Sequence, residues 1–197
     1  MKGKAYANRK PVSERPKNDF YQTPRCLTKE LVKTGLLDEA YPILGRNDIT
    51  ILDPCCGHFS ISSELEDAGF KITARDLIYG DDFLEGEMDE RYCAVVMNPP
   101  FKLFDKFVTK AKSIAPVVCC IGKMNYFGAH SRNIGGLWRH LEWVLPFDRM
   151  VSFESPERDD GKVECGMMVT GWFIWNKFYE GFPKVKVIDV QDYILKK

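Results

Sequence analysis

A chain of 197 residues holds one α/β domain with a sizeable core and is short for two. Hydrophobic residues at 45% and charged residues at 28% are ordinary for a soluble globular protein, and a formal net charge of zero excludes a general electrostatic pull toward nucleic acid or membrane. Three histidines, and seven cysteines without a C-x-x-C pair, offer little from which to build a zinc site, so no metal is expected.

The charge is uneven along the chain. Residues 1–17 carry Lys2, Lys4, Arg9, Lys10, Arg15 and Lys17 against Glu14 alone, which marks a basic, mobile N-terminal arm ahead of a single domain over 18–197. No apolar segment near the N-terminus resembles a signal peptide, and the apolar run Ala115 to Ile121 is too short to cross a bilayer. The cysteines fit reduced, mostly buried thiols of a cytoplasmic protein.

The predicted elements follow in chain order. Thr23-Pro24 starts a helix, with Thr23 as N-cap and Pro24 in the first turn; it carries Leu27 and Leu31 toward a core and ends near Gly35. A short strand, Ile49 to Leu52, stops abruptly at Asp53-Pro54-Cys55-Cys56-Gly57. Ile61, Leu65 and Ala68 then fall at helical spacing, with Gly69 as C-cap. Lys71 to Ala74 is a second strand ending at Arg75-Asp76. Cys93 to Met97 is a third, of the fully apolar kind found inside parallel sheets, and it stops at Asn98-Pro99-Pro100-Phe101. A helix with Phe104, Phe107, Val108, Ala111 and Ile114 on one face follows, then a buried strand over Val117 to Ile121.

This rhythm predicts a doubly wound, mostly parallel Rossmann-like sheet. The last third differs. Met150 to Glu154 and Gly166 to Trp175 are expected to pair as a C-terminal antiparallel hairpin through a turn-rich link, with Lys184 to Val190 as one more edge strand. In open α/β sheets, ligands bind outside the carboxyl ends of the strands, where the stretches 53–57, 76–83 and 98–101 all fall.

The chemistry of those stretches is specific. Gly57 permits close backbone approach by a ligand, and Asp53 offers an acceptor to an ammonium or hydroxyl group. An acid there disfavours a nucleoside triphosphate. Asp76 stands where an acid accepts hydrogen bonds from ribose hydroxyls in Rossmann-like folds. A nucleoside with a positive group and no pyrophosphate fits, as in S-adenosylmethionine. Asn98-Pro99-Pro100-Phe101 has two consecutive prolines, which remove two backbone donors and hold an extended turn. Its carbonyls and the Asn98 amide oxygen are acceptors for the hydrogens of an amine, and Phe101 offers a flat ring. Adenine N6 is a poor nucleophile because its lone pair is delocalised, and acceptors aimed at its developing positive charge favour attack without a titrating base.

From Asp19 to Trp175 the chain resembles the class I S-adenosylmethionine-dependent methyltransferases, in particular the N6-adenine amino-methyltransferases with an N-P-P-[FYW] motif. The resemblance implies that Tyr21, Thr23 and Pro24 belong to a segment closing over the methionine end of the cofactor. It implies that Asp53, Pro54, Cys55 and Gly57 form the first cofactor loop, that Asp76 binds the ribose, and that Asp82 and Phe83 meet the cofactor adenine. Asn98, Pro99, Pro100 and Phe101 match the catalytic motif, with Asn98 also beside the cofactor. The chain departs from the family at Phe59, where a second glycine is usual; its side chain is expected either to narrow the cofactor pocket or to point into the core.

The acceptor side is expected to draw on Lys123, Tyr126, Phe127, Arg158 and Lys162, basic and aromatic side chains suited to a flipped base and its phosphates. DNA and RNA both remain open as substrate. Beyond the region 122–162 no room for a separate recognition domain is expected, so a short site read by loops, a structured RNA or a partner protein for target recognition is expected. Two other readings stand beside this one: a protein glutamine N5 methyltransferase, since that family also uses N-P-P, and a non-catalytic methyltransferase-fold subunit that binds nucleic acid.

Overall fold

The computed structural model describes residues 21–88, 91–155 and 157–195. The basic arm over 1–17, and Asp19 and Phe20 of the opening segment, lie outside the described residues.

Apolar residues fill consecutive positions of the central strands because both faces of the sheet are covered. The strands are β1 (Thr50–Asp53), β2 (Lys71–Ala74), β3 (Ala94–Met97), β4 (Val117–Lys123), β5 (Leu141–Pro146), β6 (Thr170–Asn176) and β7 (Lys184–Val185). They form one sheet in the order β2-β1-β3-β4-β6-β5-β7. β1 to β4 run parallel, with Ile51 opposite Ala94 and Val96 opposite Cys119, while β6 is antiparallel to both β4 and β5. Side chains alternate between faces along each strand. Ile51, Val96, Cys119 and Trp172 pack with Leu27, Leu31, Ile61 and Leu65 on one face. Leu52, Val95, Cys120 and Phe173 pack with Phe104, Val108 and Ala111 on the other. The neighbours Cys119 and Cys120 therefore sit in different cores, and all seven cysteines are free. Burial pushes the Cys119 thiol up to about 12, so it behaves as a small hydrophobe.

Three helices build the covering layers: α1 (Arg25–Lys33), α3 (Ser60–Asp67) and α4 (Phe104–Ile114), with short α2 (Leu36–Glu39) after α1 and α5 (His130–Ile134) after β4. α3 ends as its sequence predicts, with Gly69 just beyond it at a φ of 93°, a conformation glycine adopts without steric cost. α1 begins one residue later than expected, and Thr23 does not cap it. Pro24 stands at the N-cap with no side-chain bond. The first free N–H of the helix, on Arg25, donates instead to Glu157 Oε2 at 2.6 Å, from a segment 132 residues downstream. A carboxylate at that end also favours the helix dipole.

The C-terminal hairpin is present, but its first arm is β5 rather than Met150 to Glu154. A bulge between Leu141 and Trp143 shifts the register against β6, which breaks the period-two alternation by which a strand is recognised. Met150 to Glu154 instead belongs to a long excursion between β5 and β6, anchored by an isolated bridge between Val151 and Cys165 and by Ser152 N–H donating to the Glu164 carbonyl at 2.9 Å. The expected final strand is shortened to β7, with a further bridge between Phe147 and Ile188.

Candidate active site

The carboxyl ends of β1, β2, β3 and β4 open onto a cleft of about 1350 Å³. The excursion between β5 and β6 forms its opposite wall, through residues such as Phe153, Glu164 and Met167.

The first loop leaves β1 at Asp53, which is fully buried and lies behind the cleft wall rather than lining it. Its Oδ2 accepts from the Ser62 hydroxyl at 2.8 Å and its Oδ1 from Cys55 N–H at 3.4 Å. Burial, with the nearby Asp76 charge adding to it and these bonds opposing, pushes the Asp53 carboxyl up to about 7. Gly57 turns the loop at a φ of 52°. Its N–H donates to Asp76 Oδ2 at 2.9 Å, while Asp76 Oδ1 accepts from Ile78 N–H at 2.9 Å. Asp76 thus ties the loop after β1 to the turn after β2 while remaining on the cleft surface.

Phe59 does neither of the things expected of it. It takes a left-handed conformation, φ 62° and ψ 22°, the backbone a glycine would adopt there. Its ring is 42% exposed, lies outside the cleft lining and stacks on Tyr79 with centroids 5.4 Å apart.

Of the other residues expected at a cofactor, Tyr21, Thr23, Pro54 and Cys55 line the cleft, as do Asp82, Phe83 and Asn98. Pro24 does not. Asp82 Oδ1 accepts from Leu84 N–H at 2.9 Å, and Phe83 is buried against Phe107. Gln22 also lines the cleft; its Nε2 donates to Ser60, whereas its buried Oε1 has no partner among the described residues.

The four residues of the Asn98-Pro99-Pro100-Phe101 turn all line the cleft. Asn98 Nδ2 donates to the Thr23 hydroxyl at 2.9 Å. The Pro100 carbonyl accepts from Leu103 N–H at 2.8 Å and the Phe101 carbonyl from the Tyr126 hydroxyl at 3.1 Å. Among the described residues the Pro99 carbonyl accepts no hydrogen bond. Among the described residues the Asn98 Oδ1 and the Asn98 main-chain carbonyl accept none either, so these two and the Pro99 carbonyl are the turn's remaining acceptors. Lys123 Nζ lies 4.6 Å from the Phe101 ring centroid, and the rings of Tyr126 and Phe153 stand nearly perpendicular to Phe101.

Of the side chains expected to meet an acceptor, the structure brings only Lys123 to the cleft. Tyr126 is buried behind the turn that it holds. Phe127 packs on Trp138 and Phe173. Arg158 faces Asp160 at 4.0 Å, and Lys162 Nζ donates to the Asp192 carbonyl. The reason is geometric: the cleft wall comes from 151–155 and 164–168 rather than from the turn between them. Phe153, Glu164, Cys165 and Met167 carried no sequence signal of their own, since only the pairing of their two segments brings them together.

No protein-family model matches this chain, and no curated protein does. Solved structures do. PH1948 from Pyrococcus horikoshii, a candidate RNA methyltransferase, is 20% identical with a TM-score of 0.53 over 84% of this chain and 92% of its own. The methyltransferase subunit of a type I restriction-modification system from Streptococcus thermophilus is 13% identical with a TM-score of 0.58; it matches 88% of this chain, which spans 47% of that subunit. The 23S rRNA methyltransferase ErmE is 14% identical with a TM-score of 0.50, over 82% of this chain and 72% of its own. The likeness is one of fold: the chain shares with these proteins a Rossmann-like sheet, parallel at its core with an antiparallel C-terminal part.

Proposed function

We propose that the protein is an S-adenosylmethionine-dependent methyltransferase acting on an exocyclic amino nitrogen, adenine N6 in DNA or RNA. The observation that carries this reading is the turn at the end of β3, where Asn98 Oδ1 and the Pro99 carbonyl are left as acceptors in a cleft walled by Asp76 and Asp82.

The residues present fit the cofactor. A ligand bearing hydroxyl, amino and ammonium donors suits Asp76, Asp82 and the buried Gln22 Oε1, which has no partner among the described residues. Asp76 would hold ribose hydroxyls, Asp82 and Phe83 the adenine, and Tyr21 to Thr23 the methionine end. When bound, S-adenosylmethionine supplies an electrophilic methyl group. The chain's own task is to hold the amine. Asn98 Oδ1 and the Pro99 carbonyl each accept one of its hydrogens, which turns the nitrogen lone pair out of conjugation with the ring and stabilises the charge that develops on it. Phe101 fixes the plane of the base. No side chain need titrate for the transfer, and the surplus proton leaves to solvent.

The charges of the cleft bear on the acceptor. Asp76, Asp81, Asp82, Glu154 and Glu164 line it against Lys102 and Lys123. An acidic cleft admits a neutral base and repels phosphates, which suits a nucleotide extruded from its strand. The names of neighbours acting on RNA or belonging to restriction-modification systems point to nucleic acid as well.

Two substitutions separate the roles. Asn98→Ala is expected to lower kcat by about 100-fold or more while the cofactor Kd stays within about threefold, because the acceptor acts mainly in the transition state. Asp76→Asn is expected to weaken cofactor binding by about tenfold, the loss of roughly one hydrogen bond. Methyl transfer by Asn98→Ala at the parent rate would remove the catalytic assignment.

A further inference from the structure

Charge is polarised across β3, the strand that ends in the Asn98 to Phe101 turn. Residues 53–90, which build α3, β2 and the end of β1 on one side of it, hold eleven acids against Lys71 and Arg75. Residues 102–139, which build α4, β4 and α5 on the other, hold seven bases against Asp105 alone. A chain whose net charge is zero thus has one strongly basic side.

Packing brings the bases of that side together. α4 buries Phe104, Phe107, Val108 and Ala111, which leaves Lys106 on its outer side and Lys102 just ahead of it, both exposed. The segment 130–139 lies along the flank of α4. Arg132 Nε donates to Asp105 Oδ1 at 2.7 Å, and Lys112 Nζ to the carbonyls of Leu137 and Arg139 at 3.2 and 3.0 Å. Carbonyls carry no net charge to offset the ammonium. Burial, and after it the charge of Arg139, lowers the Lys112 pKa from its usual value. An anion on this side would relieve that repulsion.

The basic side is also joined to the turn. Lys102 lines the cleft, and Lys106 stands one helical turn further on, outside it. The Arg132 guanidinium lies 4.1 Å from the ring centroid of Tyr126, whose hydroxyl holds the Phe101 carbonyl.

We infer that this face, from Lys102 and Lys106 to Arg139, is where the phosphodiester backbone of a nucleic acid strand lies while one base enters the cleft beside it. α4 alone is about 16 Å long, enough to meet several consecutive phosphates. The inference rests on the methyltransferase reading for the entry of the base, though not for the binding of a polyanion.

The test titrates the full chain against a fluorescent single-stranded DNA of mixed sequence, and against an RNA of the same sequence, by anisotropy over a range of salt concentrations. The double variant Lys106→Gln, Arg139→Gln is set beside Lys71→Gln, Lys186→Gln, which removes the same charge from exposed positions at the two outer edges of the sheet. The first pair should weaken binding about tenfold at low salt and flatten the slope of log affinity against log salt by about 1.4, roughly 0.7 for each phosphate lost. The second should leave affinity within about twofold and the slope unchanged. Equal losses in both pairs would reduce the effect to net charge and overturn the inference. Parent-like binding by the first pair, or no binding of either strand by the parent, would overturn it as well. Methyl transfer is read separately: the first pair should raise the acceptor KM about tenfold with kcat within about threefold. A parent that binds with the expected salt slope and transfers no methyl group would sink the methyltransferase reading and leave the surface standing.

Discussion

Phe59 shows how a single residue can take a backbone that suits glycine without closing the cleft. A left-handed backbone costs a non-glycine residue about 1–2 kcal/mol. The stack of its ring on Tyr79, whose hydroxyl donates to the Gly57 carbonyl at 3.1 Å, returns about 0.5–1.5 kcal/mol. The two nearly cancel. Phe59→Gly is therefore expected to change stability by no more than about 1 kcal/mol, whereas Phe59→Val, β-branched and unable to stack, should cost about 2 kcal/mol or more and lower Tm by several degrees. A thermal melt of the valine variant matching the parent would contradict this balance. At this scale the sequence was informative wherever chemistry is local: Asn98 to Phe101 and Asp76 stand on the cleft as their motifs required. It was uninformative at Asp53, because only the fold brings the Ser62 hydroxyl onto its carboxylate and buries both behind the cleft wall.

Among elements, β1, β3 and β4 were legible because each is an apolar run closed by a polar turn, and the mixed β2 (Lys71–Ala74) because it stands between Gly69 and Asp76 in the strand–helix rhythm. β5 was not, because its bulge puts Leu141 out of phase with Val144. That miss propagated to the site. With the hairpin assigned one segment late, the acceptor wall was sought at Arg158 and Lys162 rather than at Phe153 and Met167. Nor does sequence distinguish an aromatic that stacks on a ligand from one that holds a wall. Tyr126, in the 3-10 turn Met124–Gly128 after β4, is of the second kind, its hydroxyl on the Phe101 carbonyl and its ring beneath the Arg132 guanidinium at 4.1 Å. Tyr126→Phe leaves that carbonyl without its donor. It is expected to cost about 1 kcal/mol of stability and to lower kcat/KM for the acceptor by about tenfold, with cofactor Kd unchanged. Isothermal titration beside steady-state kinetics checks it; a loss confined to cofactor affinity would place the turn at the other end of the cleft.

The whole molecule brings an acidic cleft and a balanced net charge to a proposed polyanionic substrate. Its affinity for that substrate must come from outside the cleft, with the base alone entering it. The proposed activity stands or falls on whether the turn at the end of β3 presents an amine for methylation. The most direct measurement is to incubate the full chain with methyl-labelled S-adenosylmethionine and, separately, DNA, RNA and a cytosolic protein extract, then digest each and identify the labelled product. The expected product is N6-methyladenine from DNA or RNA, lost in Asn98→Ala. Label on protein glutamine, or none on any acceptor while the cofactor binds, would contradict it.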